Sequence, residues 1–264
     1  MTEVPEVLVV GGGRMGAALL GGLLEAGFGA ENLACAERDA SRRRELAGVL
    51  PGVRLLEEPI AASGVVLAVK PVDAEATCVS VAKLAPARVL SIMAGVTISR
   101  LEAWLGRGTA VVRAMPNTPA LVGAGMSALS GGTHACEADL EWAEQVLGAV
   151  GVVARFTEDQ IDAVTAVSGS GPAYVFLFAE AMADAGIAAG LDREAAESLA
   201  AQTIAGASEL LAKSGMSPAD LRAQVTSPGG TTEAALQVFA DRGWRGVVIE
   251  AVIAARDRSV EMGR

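Results

Sequence analysis

One histidine, one tyrosine and three cysteines stand among 264 residues, and each scarcity removes a class of chemistry. Cys35, Cys78 and Cys136 are too few and too scattered for a disulfide framework or a metal centre. No metal is expected, and a reducing, cytoplasmic compartment fits. The sole histidine, His134, lies in Gly131-Gly132-Thr133-His134, a setting that reads as a loop rather than as an acid–base centre. Basic clusters are missing too. Beyond Arg42-Arg43-Arg44 there is no basic run, and a formal charge of −10 opposes a nucleic acid or an anionic membrane as partner. The opening Met1-Thr2-Glu3-Val4-Pro5-Glu6 lacks the basic-then-apolar layout of an export signal. The longest apolar stretch, 173–189, is interrupted by Glu180 and Asp184 and reads as a helix buried in protein rather than in a bilayer.

What is abundant is apolar and small. With 52% hydrophobic residues the chain can bury a large core, and its length suggests two domains. Val7-Leu8-Val9-Val10 runs into Gly11-Gly12-Gly13-Arg14-Met15-Gly16 and then into the helical pattern Ala17, Leu19, Leu20, Leu23, Leu24. Strand, glycine turn and helix in that order suit a nucleotide diphosphate. Gly11 permits the tight turn, Gly13 lets backbone approach a phosphate, Gly16 allows close helix packing, and the helix amino terminus favours negative charge. Leu33-Ala34-Cys35-Ala36 forms a second strand, followed by Glu37-Arg38-Asp39 where an adenosine ribose would lie. Glu37 suits a free ribose hydroxyl and Arg38 suits a 2′-phosphate, so the local signal is mixed. Further strands over 65–69, 89–92 and 110–114 alternate with helical patterns over 74–84 and 98–105. The alternation predicts a mostly parallel sheet with helices on both faces. Loops at the carboxyl ends of those strands should form the ligand crevice: Val69-Lys70-Pro71, Ala94-Gly95-Val96 and Met115-Pro116-Asn117-Thr118-Pro119. Lys70 is a candidate contact to an anion, and Asn117 is either a polar reader or a turn former.

After 158 the strand signals vanish, giving a dinucleotide-binding domain over 1–157 and an all-helical domain over 158–264. The helix opening at Pro172 carries Tyr174, Val175, Phe176, Leu177, Phe178 and Met182 around much of its circumference, which points to a homodimer. Near the end of the chain, Thr226-Ser227-Pro228-Gly229-Gly230-Thr231-Thr232-Glu233 enters another helix. Its glycines let backbone approach a ligand, and the first helix amides point at any anion placed there, which makes a carboxylate cradle. The plainer reading is a capping turn with Thr231 or Thr232 as the cap.

Together these motifs resemble, in order and over essentially the whole chain, those of the pyrroline-5-carboxylate reductases. The segments that carry the likeness are Gly11 to Gly16, Ala68-Val69-Lys70-Pro71, Ser91-Ile92-Met93-Ala94-Gly95-Val96, Met115 to Pro119, Gly169-Ser170-Gly171-Pro172-Ala173-Tyr174 and Thr226 to Thr232. The resemblance implies a Rossmann-like first domain, a helical dimer sometimes built into larger rings, and a role in proline biosynthesis with NADPH preferred over NADH. It places Gly11, Gly13, Arg14, Met15 and Gly16 at the diphosphate, Arg38 near the adenosine phosphate, and Ala68, Val69, Lys70, Pro71, Ala94 and Gly95 along the nicotinamide side. It also gives 1-pyrroline-5-carboxylate to Ser227, Gly229, Gly230, Thr231 and Thr232 and brings the Thr232 hydroxyl to the ring nitrogen as the catalytic group, while Asn117, read from its place between two prolines, is a further candidate substrate contact. Two departures are visible: Leu55-Leu56-Glu57-Glu58 lacks the family's usual asparagine, and Gly64 replaces an acidic residue.

A protonated imine accepts hydride readily, so the scarcity of histidine agrees with a site that orients rather than protonates. The two distant glycine turns are expected to converge on one flat heterocycle. Two other readings stay open: a two-domain reductase of the 3-hydroxyacid dehydrogenase type, and a nucleotide-binding scaffold without catalysis. The first is disfavoured because the helix after the serine-glycine turn contains no lysine.

Overall fold

The structure, a computed structural model, describes residues 4–106 and 108–263. It divides into two compact units, one running to Ser170 and resuming at Ala255, the other spanning Gly171–Ala254. The last strand ends at Arg155, and the turns that follow it pack with the sheet unit. Glu158 pairs with Arg113, and Ser259 hydrogen-bonds to Asp162 at 2.6 Å.

The sheet unit begins with β1 (Val7–Val10), α1 (Arg14–Glu25), β2 (Leu33–Ala36), α2 (Ala40–Val49), β3 (Arg54–Leu56), β4 (Gly64–Leu67), α3 (Ala74–Ala82), β5 (Arg88–Ser91) and α4 (Ile98–Leu105). It continues through β6 (Ala110–Met115), β7 (Gly125–Gly131), α5 (Glu137–Gly148), β8 (Gly151–Arg155) and the short α6 (Ile161–Val164), which passes into a π-helical turn at Thr165–Gly169. The strands form one sheet in the order β3-β2-β1-β4-β5-β6-β7-β8. Every neighbouring pair is parallel except β6 and β7.

Alternation along buried strands gives the sheet two cores. Val7 and Val9 point to one face, with Leu19, Leu20 and Leu23 of α1 and Val146 and Leu147 of α5. Leu8 and Val10 point to the other, with Cys78 and Val81 of α3 and Leu101 and Leu105 of α4. Both faces are covered, so these strands read as unbroken apolar runs. Chain order reverses between β1 and β4, and the crevice at the carboxyl ends of these two strands is where an open parallel sheet takes a ligand. Gly64, at the start of β4, leaves room for Trp142, whose ring a side chain there would overlap.

The helical unit contains α7 (Gly171–Ala188), α8 (Arg193–Lys213), α9 (Pro218–Gln224), α10 (Thr231–Asp241) and the first half of α11 (Trp244–Gly263). Gly190, at φ +105, turns the chain after α7, and Asp192 caps α8 by accepting from the Ala195 N–H at 2.9 Å. Trp244 sits between Phe178 and Phe239, with ring centroids 6.0 and 5.6 Å away. Little else here is sheltered. Only Ala183 of α7 is buried, and none of α9, α10 or α11 is. By length and composition alone, Glu158–Ala188 is apolar enough to cross a membrane, and no other helix among the described residues is. The expectation that α7 is buried in protein is not met within its own chain, where Phe176 is 62% exposed.

Candidate active site

The chain leaves β1 at Val10 and enters α1 at Arg14, so three glycines make the whole turn. Gly11 has φ +105, and a Cβ there would lie 2.7 Å from the Ala68 carbonyl oxygen. A Cβ on Gly16 would overlap the carbonyl oxygen of Gly11, so helix and turn touch backbone to backbone. Gly13 is different. Its extended backbone suits any residue, and nothing lies within 4 Å of where a Cβ would stand. That glycine keeps a space open. It is also the N-cap of α1 and offers no side chain to the first helix amides, which leaves them available to an anion.

The space belongs to a cleft of about 600 Å³ at the carboxyl ends of β1, β2 and β4. Gly11, Gly13, Arg38, Ala68, Val69 and Lys70 line it, while Arg14, Met15, Gly16, Pro71, Ala94 and Gly95 do not. Met15 packs against the core beneath the turn. Gly95, at φ +72, has a Cβ position 3.4 Å from the Met262 carbonyl oxygen on the last turn of α11. Arg38 is exposed, and among the described residues its guanidinium has no partner. Lys70 precedes the 3₁₀ turn Pro71–Asp73 and is exposed as well. Glu37 is occupied: one carboxylate oxygen accepts the Gly12 N–H and the other the Asp39 N–H, each at 2.9 Å. Sequence reading missed that engagement, since Gly12 stands 25 residues away.

Asn117 is committed inside the sheet unit. Its carbonyl oxygen accepts the Met126 N–H at 2.8 Å, and its amide donates to the carbonyl and hydroxyl of Ser168 at 3.2 Å each. The reason lies in Pro172. Proline has no N–H to return to the carbonyl four residues earlier, so Ser168 would lose its helical partner. The Asn117 amide supplies the missing donor where the backbone widens into the π turn. As it stands, the residue holds the turn that leads into α7.

In the helical unit, Gly229 adopts φ +71 and Gly230 is the N-cap of α10 without a side-chain cap, so neither Thr231 nor Thr232 caps this helix. Both are its first residues. The Gly229 N–H goes to the Glu233 carboxylate at 2.7 Å and the Gly230 N–H to the Ser227 carbonyl at 3.0 Å. Of the expected cradle amides, those of Thr231 and Thr232 have no acceptor among the described residues. The Ser227 hydroxyl lies beneath Gly230, 2.5 Å from where a Cβ would stand, so the second glycine is needed for the turn to close. Thr232 is half-buried, and Ser227 and Thr231 are exposed. The turn thus presents hydroxyls and helix-end amides, the donors a carboxylate takes.

Among the described residues no cluster of three metal-ligating side chains occurs. His134 is exposed in the loop between β7 and α5, as its sequence setting suggested.

A family model described as pyrroline-5-carboxylate reductase dimerisation matches residues 158–262, and one described as NADP oxidoreductase, coenzyme F420-dependent, matches 6–95. The pyrroline-5-carboxylate reductase of Pseudomonas aeruginosa is 44% identical over 98% of this chain and 97% of its own length. That of Mycobacterium leprae is 43% identical over 99% of this chain and 98% of its own. Among solved structures, the pyrroline-5-carboxylate reductase of Coxiella burnetii is similar with a TM-score of 0.94, 35% identity and coverage of 99% and 100% of the two chains. The pyrroline carboxylate reductase of Plasmodium falciparum, solved with NADP bound, has a TM-score of 0.85 at 30% identity over 100% of both.

Proposed function

The chain belongs to the pyrroline-5-carboxylate reductase family, and from that premise we propose that its sheet unit holds NADPH while its helical unit holds the carboxylate of 1-pyrroline-5-carboxylate. The reaction is the NAD(P)H-dependent reduction of the cyclic imine to proline, the last step of proline biosynthesis. One observation carries the division of labour. The only unfilled glycine face of the first turn opens into the cleft that Arg38 and Lys70 line.

The residues present fit the dinucleotide. Gly13 leaves room for a diphosphate, the uncapped head of α1 provides backbone donors, and Arg38, without a partner among the described residues, is a cation suited to a 2′-phosphate. When bound, NADPH supplies the hydride for the carbon–nitrogen double bond. Lys70 and Val69 form the floor beyond the phosphates, while Ala94 and Gly95, which lie outside this cleft, are assigned to the nicotinamide side by the family resemblance alone. NADH serves as the poorer donor because it leaves Arg38 without its phosphate partner.

Ser227 and the amides of Thr231 and Thr232 hold the substrate carboxylate. The Thr232 hydroxyl then meets the ring nitrogen and orients its proton. A hydroxyl is a weak acid, and the nitrogen of a protonated imine needs none stronger, so Thr232 acts by position. The helix that would carry the acid–base lysine of a 3-hydroxyacid dehydrogenase, α7, contains none. The protein works as a homodimer whose second copy covers the apolar side of α7.

The test is a reduced-nicotinamide absorbance assay with 1-pyrroline-5-carboxylate and each dinucleotide. Turnover with NADPH exceeding that with NADH is the expected result. Cofactor binding without turnover of any cyclic imine would reduce the protein to a scaffold.

A further inference from the structure

The middle of the first glycine turn is gripped by side chains of the next strand–helix unit. Glu37 Oε2 accepts the Gly12 N–H at 2.9 Å, and Arg42 Nε donates to the Gly12 carbonyl at 2.8 Å. Both polar groups of one residue are thereby held from 25 and 30 residues away. Gly12 is closely packed, since a Cβ would stand 2.5 Å from Leu46 Cδ1 and 3.2 Å from Glu37 Cβ. The other Glu37 oxygen accepts the Asp39 N–H, and Asp39 in turn caps α2 by accepting from Ser41 at 2.8 Å. Arg42 also pairs with Glu45 at 2.8 Å, which holds its guanidinium over the turn.

We propose that Glu37 and Arg42 are positioning residues that clamp Gly12 and preset the diphosphate-binding turn, so that Glu37 serves NADPH and NADH alike instead of reading the adenosine ribose. The inference rests on the reading that this turn holds the cofactor diphosphate. A three-glycine turn is conformationally loose, and ordering it on binding costs affinity for any ligand. Holding it in advance removes that cost whichever dinucleotide arrives. A carboxylate at the end of the second strand usually accepts a ribose hydroxyl. Here, swinging Glu37 toward a ribose releases the Gly12 and Asp39 amides together. Discrimination then falls to Arg38, which lines the same cleft with its charge unspent.

The experiment is steady-state kinetics with NADPH and NADH, in parallel, on the full-length enzyme and on Glu37→Ala, Glu37→Gln, Arg42→Ala and Arg38→Ala. Glu37→Ala is expected to raise KM for both cofactors by one common factor, roughly tenfold for the loss of charged hydrogen bonds, with kcat at saturation held within about twofold. Glu37→Gln recovers much of the loss, because its amide oxygen still accepts one N–H. Arg42→Ala raises both KM values in parallel, and Arg38→Ala raises that for NADPH alone. A rise confined to NADH in Glu37→Ala would identify a ribose reader and overturn the clamp. So would unchanged KM values for both. If Glu37→Ala fails to fold, Arg42→Ala decides by the same pattern. A parent enzyme that binds neither dinucleotide, judged by cofactor fluorescence, would remove the cofactor reading itself and the clamp with it.

Discussion

Thr232 is a half-buried residue at the head of α10 that combines a hydroxyl with an amide lacking an acceptor among the described residues. Replacing it by alanine keeps the amide and removes the hydroxyl. Thr232→Ala is therefore expected to lower kcat by roughly tenfold, about 1.4 kcal/mol of transition-state stabilisation, while the NADPH dissociation constant stays near that of the parent. Undiminished turnover would take the nitrogen-side role from Thr232. The cysteines offer a second single-residue expectation. Burial, with the nearby Glu37 carboxylate adding to it, pushes the Cys35 thiol up to about 12, and burial pushes Cys78 up to about 11. Cys136 is exposed. At pH 8 one equivalent of iodoacetamide should modify the native protein at Cys136, and three should react after denaturation. Below pH 9.0, the ordinary value, folded and unfolded chains both keep these protons and nothing is lost. As pH rises from there toward 11 and 12, the unfolded chain sheds protons that the folded one retains, and stability falls by about 1.4 kcal/mol per pH unit for each thiol. The glycines were legible at this scale because their spacing has few physical meanings. The commitments of Glu37 and Asn117 were not, because nothing local reveals partners 25 and 51 residues away.

Among the elements, Glu158 has an unusual span. One oxygen takes both the Arg113 guanidinium at 2.9 Å and the Ile98 N–H at the head of α4, tying the turn after β8 to β6 and α4. The Arg113 side chain is 7% exposed and that of Glu158 35%. Glu158→Ala leaves a buried cation unpaired. Fully buried pairs lose about 3–5 kcal/mol when broken, and the exposure of Glu158 reduces this to roughly 2 kcal/mol. Thermal unfolding should show a midpoint lower by about 4–8 °C, with Glu158→Gln intermediate; an unshifted midpoint would make the pair incidental. The strands differ in how plainly their residues declare them. β1, β2, β4, β5 and β6 are apolar runs buried on both faces, and each was readable within a residue or two. β3, β7 and β8 were not. β3 is three half-buried residues at an edge, and β8 is the opposite edge with Val152 exposed. β7 is Gly-Met-Ser-Ala-Leu-Ser-Gly, poor in branched and aromatic residues. Its first glycine is small by necessity, because a Cβ on Gly125 would meet the Val150 carbonyl oxygen at 2.8 Å.

The molecule as a whole has a sheltered half and an unsheltered one. Val175, Phe176 and Leu177 of α7, Val238 of α10 and Val247 and Ile249 of α11 all lie in water in the single chain. The apolar circumference of α7 was visible in its sequence, and a second copy of the chain is the partner that the family relationship supports. Phe176→Asp should split the homodimer proposed above, raising its dissociation constant by at least about a hundredfold, or about 2.7 kcal/mol. Sedimentation velocity reads the result directly, and a variant that still sediments as a dimer would move the interface elsewhere. None of α9, α10 or α11 buries a residue within one chain, so in the homodimer proposed above the shelter of these helices depends on how often two polypeptides meet. A chain made in small numbers waits longer with its aromatic side chains open to proteases and chaperones. In that homodimer the supply of paired chains drops more steeply than the supply of polypeptide when synthesis slows, because pairing depends on the square of the free-chain concentration.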